Sequence, residues 1–163
     1  MFYCFPRIIF DMEEKISTGA AEIIDVVMPG QTNHYGTLFG GVLMAMMDKA
    51  ANIAAIRYCK CDCVTASVDN IVFEKPVKLG EIINVKAWLI YVGNTSMLAR
   101  VKVDAENKNG ERRTIISCAN FLFVAVDPSG KPVEVPKPVL QNDTEKMLFR
   151  RGKEIRENLR RLC

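Results

Sequence analysis

The run Asn33-His34-Tyr35-Gly36-Thr37-Leu38-Phe39-Gly40-Gly41 leads into an apolar stretch that carries a single carboxylate, Asp48. From Val42 to Ile56 nearly every residue is Val, Leu, Met, Ala or Ile. The segment therefore reads as a helix apolar all round, which is normally buried. A carboxylate there costs on the order of several kcal/mol unless something pairs with it or uses it. Gly41 and Asp48 lie two turns apart and share a face of that helix. The glycine pair leaves backbone N–H groups uncovered at the positive end of the helix dipole, where they can polarise a carbonyl or hold an anion. Asn33 adds an uncharged donor in the loop just ahead. Each feature alone has a plainer explanation, since a lone buried Asp often accepts structural hydrogen bonds and Gly-Gly often marks a close chain approach. Together they suit acid–base chemistry on a polarised carbonyl.

The elements that must position these residues follow from pattern and punctuation. Glu22 to Val27 reads as a short strand ended by Pro29-Gly30, and the apolar helix spans roughly Gly40 to Tyr58. Four β-rich runs follow, Val64 to Glu74, Glu81 to Val92, Ser96 to Glu106 and Arg112 to Val126, with turn residues between them. Val101, Val103 and Ala105 alternate with Lys102 and Asp104, as on a sheet with one solvated face. After four prolines a last amphipathic helix starts near Asn142, with Glu145 placed for a capping box and Leu148, Ile155, Leu159 and Leu162 at helical spacing. A helix apolar all round needs a curved antiparallel sheet wrapped about it, so the class is α+β. Pairing such sheets edge to edge in a dimer removes an exposed strand edge.

Composition bounds the rest. At 163 residues the chain suits one domain with an ordinary globular balance, and no apolar stretch suffices to span a bilayer. Met1 to Phe10 is apolar but lacks the basic start and cleavage site of a signal peptide, and Met12 is a candidate natural start. Six cysteines without a secretion signal are expected to be reduced thiols in a cytoplasmic protein. Cys59, Cys61 and Cys63 have the wrong spacing for common zinc ligand pairs, so no metal is expected; they read as small residues at a helix end and the following loop. A net charge of +3 is too small for a nucleic-acid surface. All of it resides from Gln141 onward, as a solvated helix face or a site for an anionic ligand.

From about Val26 to Arg156 the chain resembles the hotdog-fold acyl-CoA thioesterases, bacterial acyl-CoA hydrolases and the brain-type cytosolic enzyme among them. The resemblance rests on Gly40-Gly41 through Met47-Asp48, on Val64-Thr65-Ala66-Ser67-Val68-Asp69, on the Phe73 to Gly80 turn and on Thr95-Ser96-Met97. It implies a hotdog fold, an antiparallel sheet around a long central helix with an extra C-terminal helix. It divides the chain into an N-terminal extension (1–20), the thioesterase domain (21–140) and a basic C-terminal helix (141–163). It implies an acyl-CoA substrate, no cofactor, no nucleic-acid or membrane partner, and a homodimer built further into a trimer of dimers. Asp48 matches the family's catalytic acid and Asn33 the loop amide that faces it from the other subunit. Ala66, Ser67, Val68, Thr95, Ser96 and Met97 match stretches lining the coenzyme A site, and Arg150, with Arg151 as competitor, matches a phosphate-binding arginine.

The expected chemistry is hydrolysis of fatty acyl-CoA, with Gly40 or Gly41 N–H holding the oxyanion and Asp48 acting as general base or as a nucleophile forming an anhydride. His34, the only histidine, is read as structural, because a thiolate leaving group scarcely needs an acid. Two alternatives carry their own signatures. A hotdog dehydratase or hydratase needs a His–acid pair, and a non-catalytic acyl-CoA sensor would lack the Asn33 and Asp48 pair.

Overall fold

The computed structural model describes residues 19–161. The elements are β1 (Ala20–Val26), a 3-10 turn (Pro29–Gln31), α1 (Gly40–Cys59), β2 (Asp62–Asp69), β3 (Ile82–Val92), β4 (Ser96–Glu106), β5 (Arg112–Val126) and α2 (Asp143–Arg161). All strand pairs are antiparallel and the sheet order is β1-β3-β4-β5-β2, leaving β1 and β2 at the edges. The long helix on the inner face of such a sheet is the α+β arrangement that the resemblance implies.

α1 touches all five strands. It does so through Leu43, Met47, Ala50, Ala51, Ala54 and Ala55, whose small side chains bring the helix axis close to the sheet. Opposite them lie Ile83, Val85 and Leu89 of β3, Val101 and Val103 of β4, and Phe121 and Phe123 of β5. The alternation predicted for β4 holds: Val101, Val103 and Ala105 are buried, while Lys102 and Asp104 reach the other face and pair at 3.3 Å. α2 lies on that outer face. Gly152 is its point of closest approach, since a Cβ there would stand 2.7 Å from the Tyr91 Cβ and 2.8 Å from the Ile90 carbonyl oxygen. Leu148, Ile90 and Leu98 are buried outside the inner core.

Three expectations are corrected. α1 is not covered all round: Met44 and Ile56 are 40% and 41% exposed, with Gly41, Ala45 and Lys49 also exposed. One chain supplies a sheet for only one side of the helix. The second strand ends at Asp69 rather than Glu74, because Asn70 turns into the left-handed region (φ +60°) and the chain leaves the β5 register. The α2 cap is also displaced. Glu145 N–H donates to Asn142 Oδ1 at 2.8 Å, but the Glu145 carboxylate accepts from Gln141 N–H, one residue earlier than in a capping box. Leu162, Cys4, Cys163, Met12 and most of the N-terminal extension lie outside the described residues.

Candidate active site

Asp48 sits half-buried on the uncovered side of α1 and accepts a hydrogen bond from the Thr65 hydroxyl, Oγ1 to Oδ1, at 2.6 Å. That length belongs to a charge-assisted O–H···O⁻ bond. The meeting follows from the two rises. α1 stops at Lys60, whose left-handed φ of +59° closes the helix with its N–H on Ile56 O at 2.9 Å. The chain then runs back as β2. Thr65 is about 17 Å along the strand from that turn and Asp48 about 18 Å along the helix, so the two side chains arrive level. One turn further along α1, Asn52 Nδ2 donates to Cys63 O at 3.3 Å and ties helix to strand a second time. Thr65 was not singled out from the sequence, since only the tertiary pairing of α1 with β2 brings a hydroxyl to the carboxylate.

Asn33 lies apart from this pair, and no hydrogen bond joins it to Asp48 among the described residues. Its Oδ1 accepts the Tyr35 N–H at 3.0 Å and the Thr37 N–H at 3.2 Å, folding the loop around its own side chain. With the acceptor end committed, the amide is oriented as a donor. Nδ2 lies 3.0 Å from Thr37 Oγ1, which can take one of its two hydrogens, leaving the other for a ligand. The loop then reaches Phe39, the residue before α1, where no side chain caps the helix. Val42 and Leu43 N–H both donate to Phe39 O, whereas Gly40 and Gly41 N–H have no partner among the described residues. A Cβ at Gly41 would stand 2.6 Å from the Phe39 ring, and one at Gly40 3.5 Å from Phe73. The helix start is therefore kept bare by its glycines, as an oxyanion site requires. His34 is exposed in this loop, against Tyr35 at 3.9 Å between ring centroids.

The residues expected along coenzyme A fall on two parts of the sheet. Ala66 is the bulge residue of β2, unpaired between Thr65 and Ser67, and is exposed with Val68. Thr95, Ser96 and Met97 form the turn and start of β4. Thr65 and Met97 both register with Phe123 of β5, so the two groups are separated by one strand. Ser67 Oγ and Ser96 Oγ are buried without a hydrogen-bond partner. Met97 is fully buried in the inner core, so it does not line an open surface of one chain as the resemblance implies. Arg150 is exposed on α2, next to Phe149, which packs on Tyr91 at 4.9 Å near the same turn. Arg151 is half-buried.

Cys59 closes α1 and Cys63 opens β2, with their sulfurs 3.3 Å apart. Burial, then the neighbouring Cys59 thiol, pushes Cys61 up to about 11, and the same causes raise Cys63 further. Raised in this way, Cys61 and Cys63 are not activated as nucleophiles. No group of metal-binding side chains occurs among the described residues. No described helix is long and apolar enough to cross a membrane.

A cavity of about 290 Å³ opens beside the helix start, between Leu38, Gly40 and Leu43 on one side and Phe73 to Val77 and Ile115 on the other. Its loop wall is anchored. Arg113 donates to Pro76 O at 2.9 Å and pairs with Glu81, and the guanidinium hydrogen bond holds the Glu81 carboxyl below the usual range.

A model of the thioesterase superfamily matches residues 35–111. The chain is 39% identical over 122 residues to a Bacillus subtilis protein named an uncharacterized acyl-CoA thioester hydrolase, covering 75% of this chain and 71% of that one. It is 36% identical over 140 residues to the cytosolic acyl coenzyme A thioester hydrolase of Rattus norvegicus, covering 85% of this chain but only 37% of that longer protein. Among solved structures it matches the Staphylococcus aureus acyl-CoA hydrolase in complex with butyryl coenzyme A, coenzyme A and coenzyme A disulfide, at 33% identity and TM-score 0.77, over 90% of this chain and 91% of that one. It matches an apo-hexameric acyl-CoA thioesterase at 32% identity and TM-score 0.82, over 90% and 94%. The S. aureus enzyme has also been solved with alanine replacing an aspartate, an asparagine and a threonine.

Proposed function

The chain belongs to the thioesterase superfamily, with the hotdog fold, and on that premise we propose that it is an acyl-CoA thioester hydrolase in which Asp48 of one copy acts on a thioester held at the helix start of another. The observation that carries this reading is the 2.6 Å bond from Thr65 to Asp48 on the uncovered face of α1. The asparagine, aspartate and threonine replaced in the S. aureus enzyme have the same spacings along their chain as Asn33, Asp48 and Thr65.

Along one helix, Gly41 and Asp48 differ by about 10 Å in rise. That is a long reach for one thioester and one water. Two copies related by a two-fold axis, with their α1 helices antiparallel, bring the start of one helix toward the middle of the other. The exposed Met44, Ala45 and Ile56 supply an apolar face for that contact, and the exposed Val68 of edge strand β2, which pairs with the inner-face Phe121, extends it. A homodimer then has two sites, each with Asp48 and Thr65 from one copy and Asn33, Gly40 and Gly41 from its partner. A trimer of such dimers accords with the hexameric structural relative.

Within this site Thr65 occupies Oδ1 of Asp48 and leaves Oδ2 to accept a proton from water. The water oxygen bonds to the thioester carbon while the carbonyl oxygen becomes an oxyanion at the Gly40 and Gly41 N–H groups. Asn33 Nδ2 donates to the same oxygen or to the water. The C–S bond then breaks, and coenzyme A leaves as a thiolate, an adequate leaving group without an acid. In the nucleophilic variant Oδ2 itself bonds to the carbon and water cleaves the resulting anhydride. Label found in Asp48 after a single turnover in ¹⁸O water would identify the anhydride route with water attacking the Asp48 carbonyl, since general-base attack places the label only in the released acid.

Coenzyme A is proposed to run past Ala66, Ser67 and Val68 toward the turn at Thr95 and Ser96, with Arg150 on a phosphate. The exposed Ala66 and Val68 and the half-buried Thr95 support this path. Residues 21–140 form the catalytic unit and 141–163 its basic helix, in a cytoplasmic protein that needs no cofactor. Fatty acyl-CoA is the proposed substrate. The test is release of free coenzyme A across acyl chains from acetyl to palmitoyl. Asp48→Ala should lower kcat by about 10²–10⁴-fold in a folded protein. Near-normal turnover in that variant would remove Asp48 from the mechanism, and binding without turnover in the unaltered protein would leave a sensor.

A further inference from the structure

Gly40 belongs to two things at once. Its N–H is one of the two bare donors at the helix start, and the residue forms part of the wall of the 290 Å³ cavity. A carbonyl whose oxygen sits on that N–H therefore has its carbon, and the first atoms of its acyl chain, at the cavity. The interior suits a hydrocarbon: Leu38, Leu43, Val77 and Ile115 are all buried apolar side chains, while Glu74 and Lys75 in the lining are exposed.

The walls differ in how firmly they are held. Leu38 N–H donates to Val77 O at 2.8 Å, Glu74 N–H donates to Ile115 O at 2.9 Å, and Arg113 grips Pro76 O. Phe73 differs from these. It is 48% exposed, follows the end of β2, and its ring lies 3.5 Å from where a Cβ on Gly40 would stand. Its ring, unlike Leu38, Leu43, Val77 and Ile115, lies outside the buried core, so it can change without opening that core.

We infer that this cavity holds the acyl chain of the substrate and that Phe73 sets its length, so that the chain is tuned to linear acyl groups of medium length. The inference rests on the hydrolase reading above. An engineered apolar cavity of about 150 Å³ takes one six-carbon benzene, so this one accommodates roughly twelve carbons. Each methylene entering it should raise kcat/KM by up to about fourfold. The rise should level off at about ten to twelve carbons, where the cavity is full.

The experiment is a profile of kcat/KM for acetyl-, butyryl-, octanoyl-, decanoyl-, lauroyl- and palmitoyl-CoA with the unaltered chain, Phe73→Ala and Phe73→Trp, each checked by thermal melting. Phe73→Ala should move the plateau to longer chains. Phe73→Trp should shorten it, lowering the lauroyl-to-butyryl ratio by about tenfold. Active variants with an unchanged profile, or equal loss on every chain length, would overturn the role of the cavity while leaving the hydrolase reading standing. Absence of coenzyme A release from every substrate by the unaltered chain would overturn both.

Discussion

Replacing Thr65 by valine keeps the shape of the side chain and removes one atom's function, the donor to Asp48. The bond at stake is 2.6 Å long and ends on a carboxylate. Hydrogen bonds to charged groups contribute about 1.5–3 kcal/mol. If the whole of that is expressed in the transition state, where Asp48 must keep Oδ2 aimed at water, kcat falls by roughly 10–150-fold. The fold should tolerate the change, because Thr65 is exposed on an edge strand within one chain and valine suits a strand. Thr65→Ser keeps the hydroxyl and should stay within about threefold of normal. KM should move little in either variant, since the bond orients the catalytic group rather than the substrate. Steady-state release of coenzyme A gives both constants, and the valine–serine pair separates the hydroxyl from the packing. Thr65→Val at normal kcat, or Thr65→Ser as impaired as Thr65→Val, would refute the reasoning.

Three further outcomes are expected. Asn33→Ala and Asp48→Asn, each inactive alone, should restore about a quarter of normal activity when co-expressed at equal levels, because half the dimers are mixed and each has one intact site; mixed dimers isolated with two tags and still inactive would put both residues in one subunit's site. Arg150→Ala should raise KM for acyl-CoA by about tenfold with kcat nearly unchanged, an effect that shrinks as salt screens the phosphate contact, whereas the same effect at Arg151→Ala would move the role one residue along. Glu81 titrates below its unfolded value because Arg113 hydrogen-bonds its carboxylate, so its stabilising contribution is complete above the unfolded pKa of about 4.3 and is lost as pH falls through the lower folded pKa. Denaturant melts should accordingly find Glu81→Gln less stable by about 2 kcal/mol at pH 7, with the gap closing below about pH 4, and a constant gap would argue against the ion pair.

Much of the chain was legible without coordinates, and for local reasons. The strand ends at Val92, Ser96, Glu106, Arg112 and Val126 lie where alternation meets turn residues, and α1 starts where Gly40-Gly41 meets an apolar run. The bare N–H groups at that start are likewise local, because two glycines after an uncapped Phe39 leave nothing to cover them. What lay beyond reach depends on residues distant in sequence. Asp48 meets Thr65 because a helix rising 1.5 Å per residue and a returning strand rising about 3.3 Å happen to come level there. Whether Val42 to Ile56 is buried all round depends on how many sheets surround it, and one chain supplies a single side, so the pattern marks a buried helix without showing that Met44, Ala45 and Ile56 stay exposed in one copy. Met97 showed its place in a motif but not which way it faces, which the pleat of β4 decides by turning it into the core. The cavity at Gly40 was invisible for the same reason, since its walls come from α1, the loop after β2 and β5, which only the folded sheet brings together.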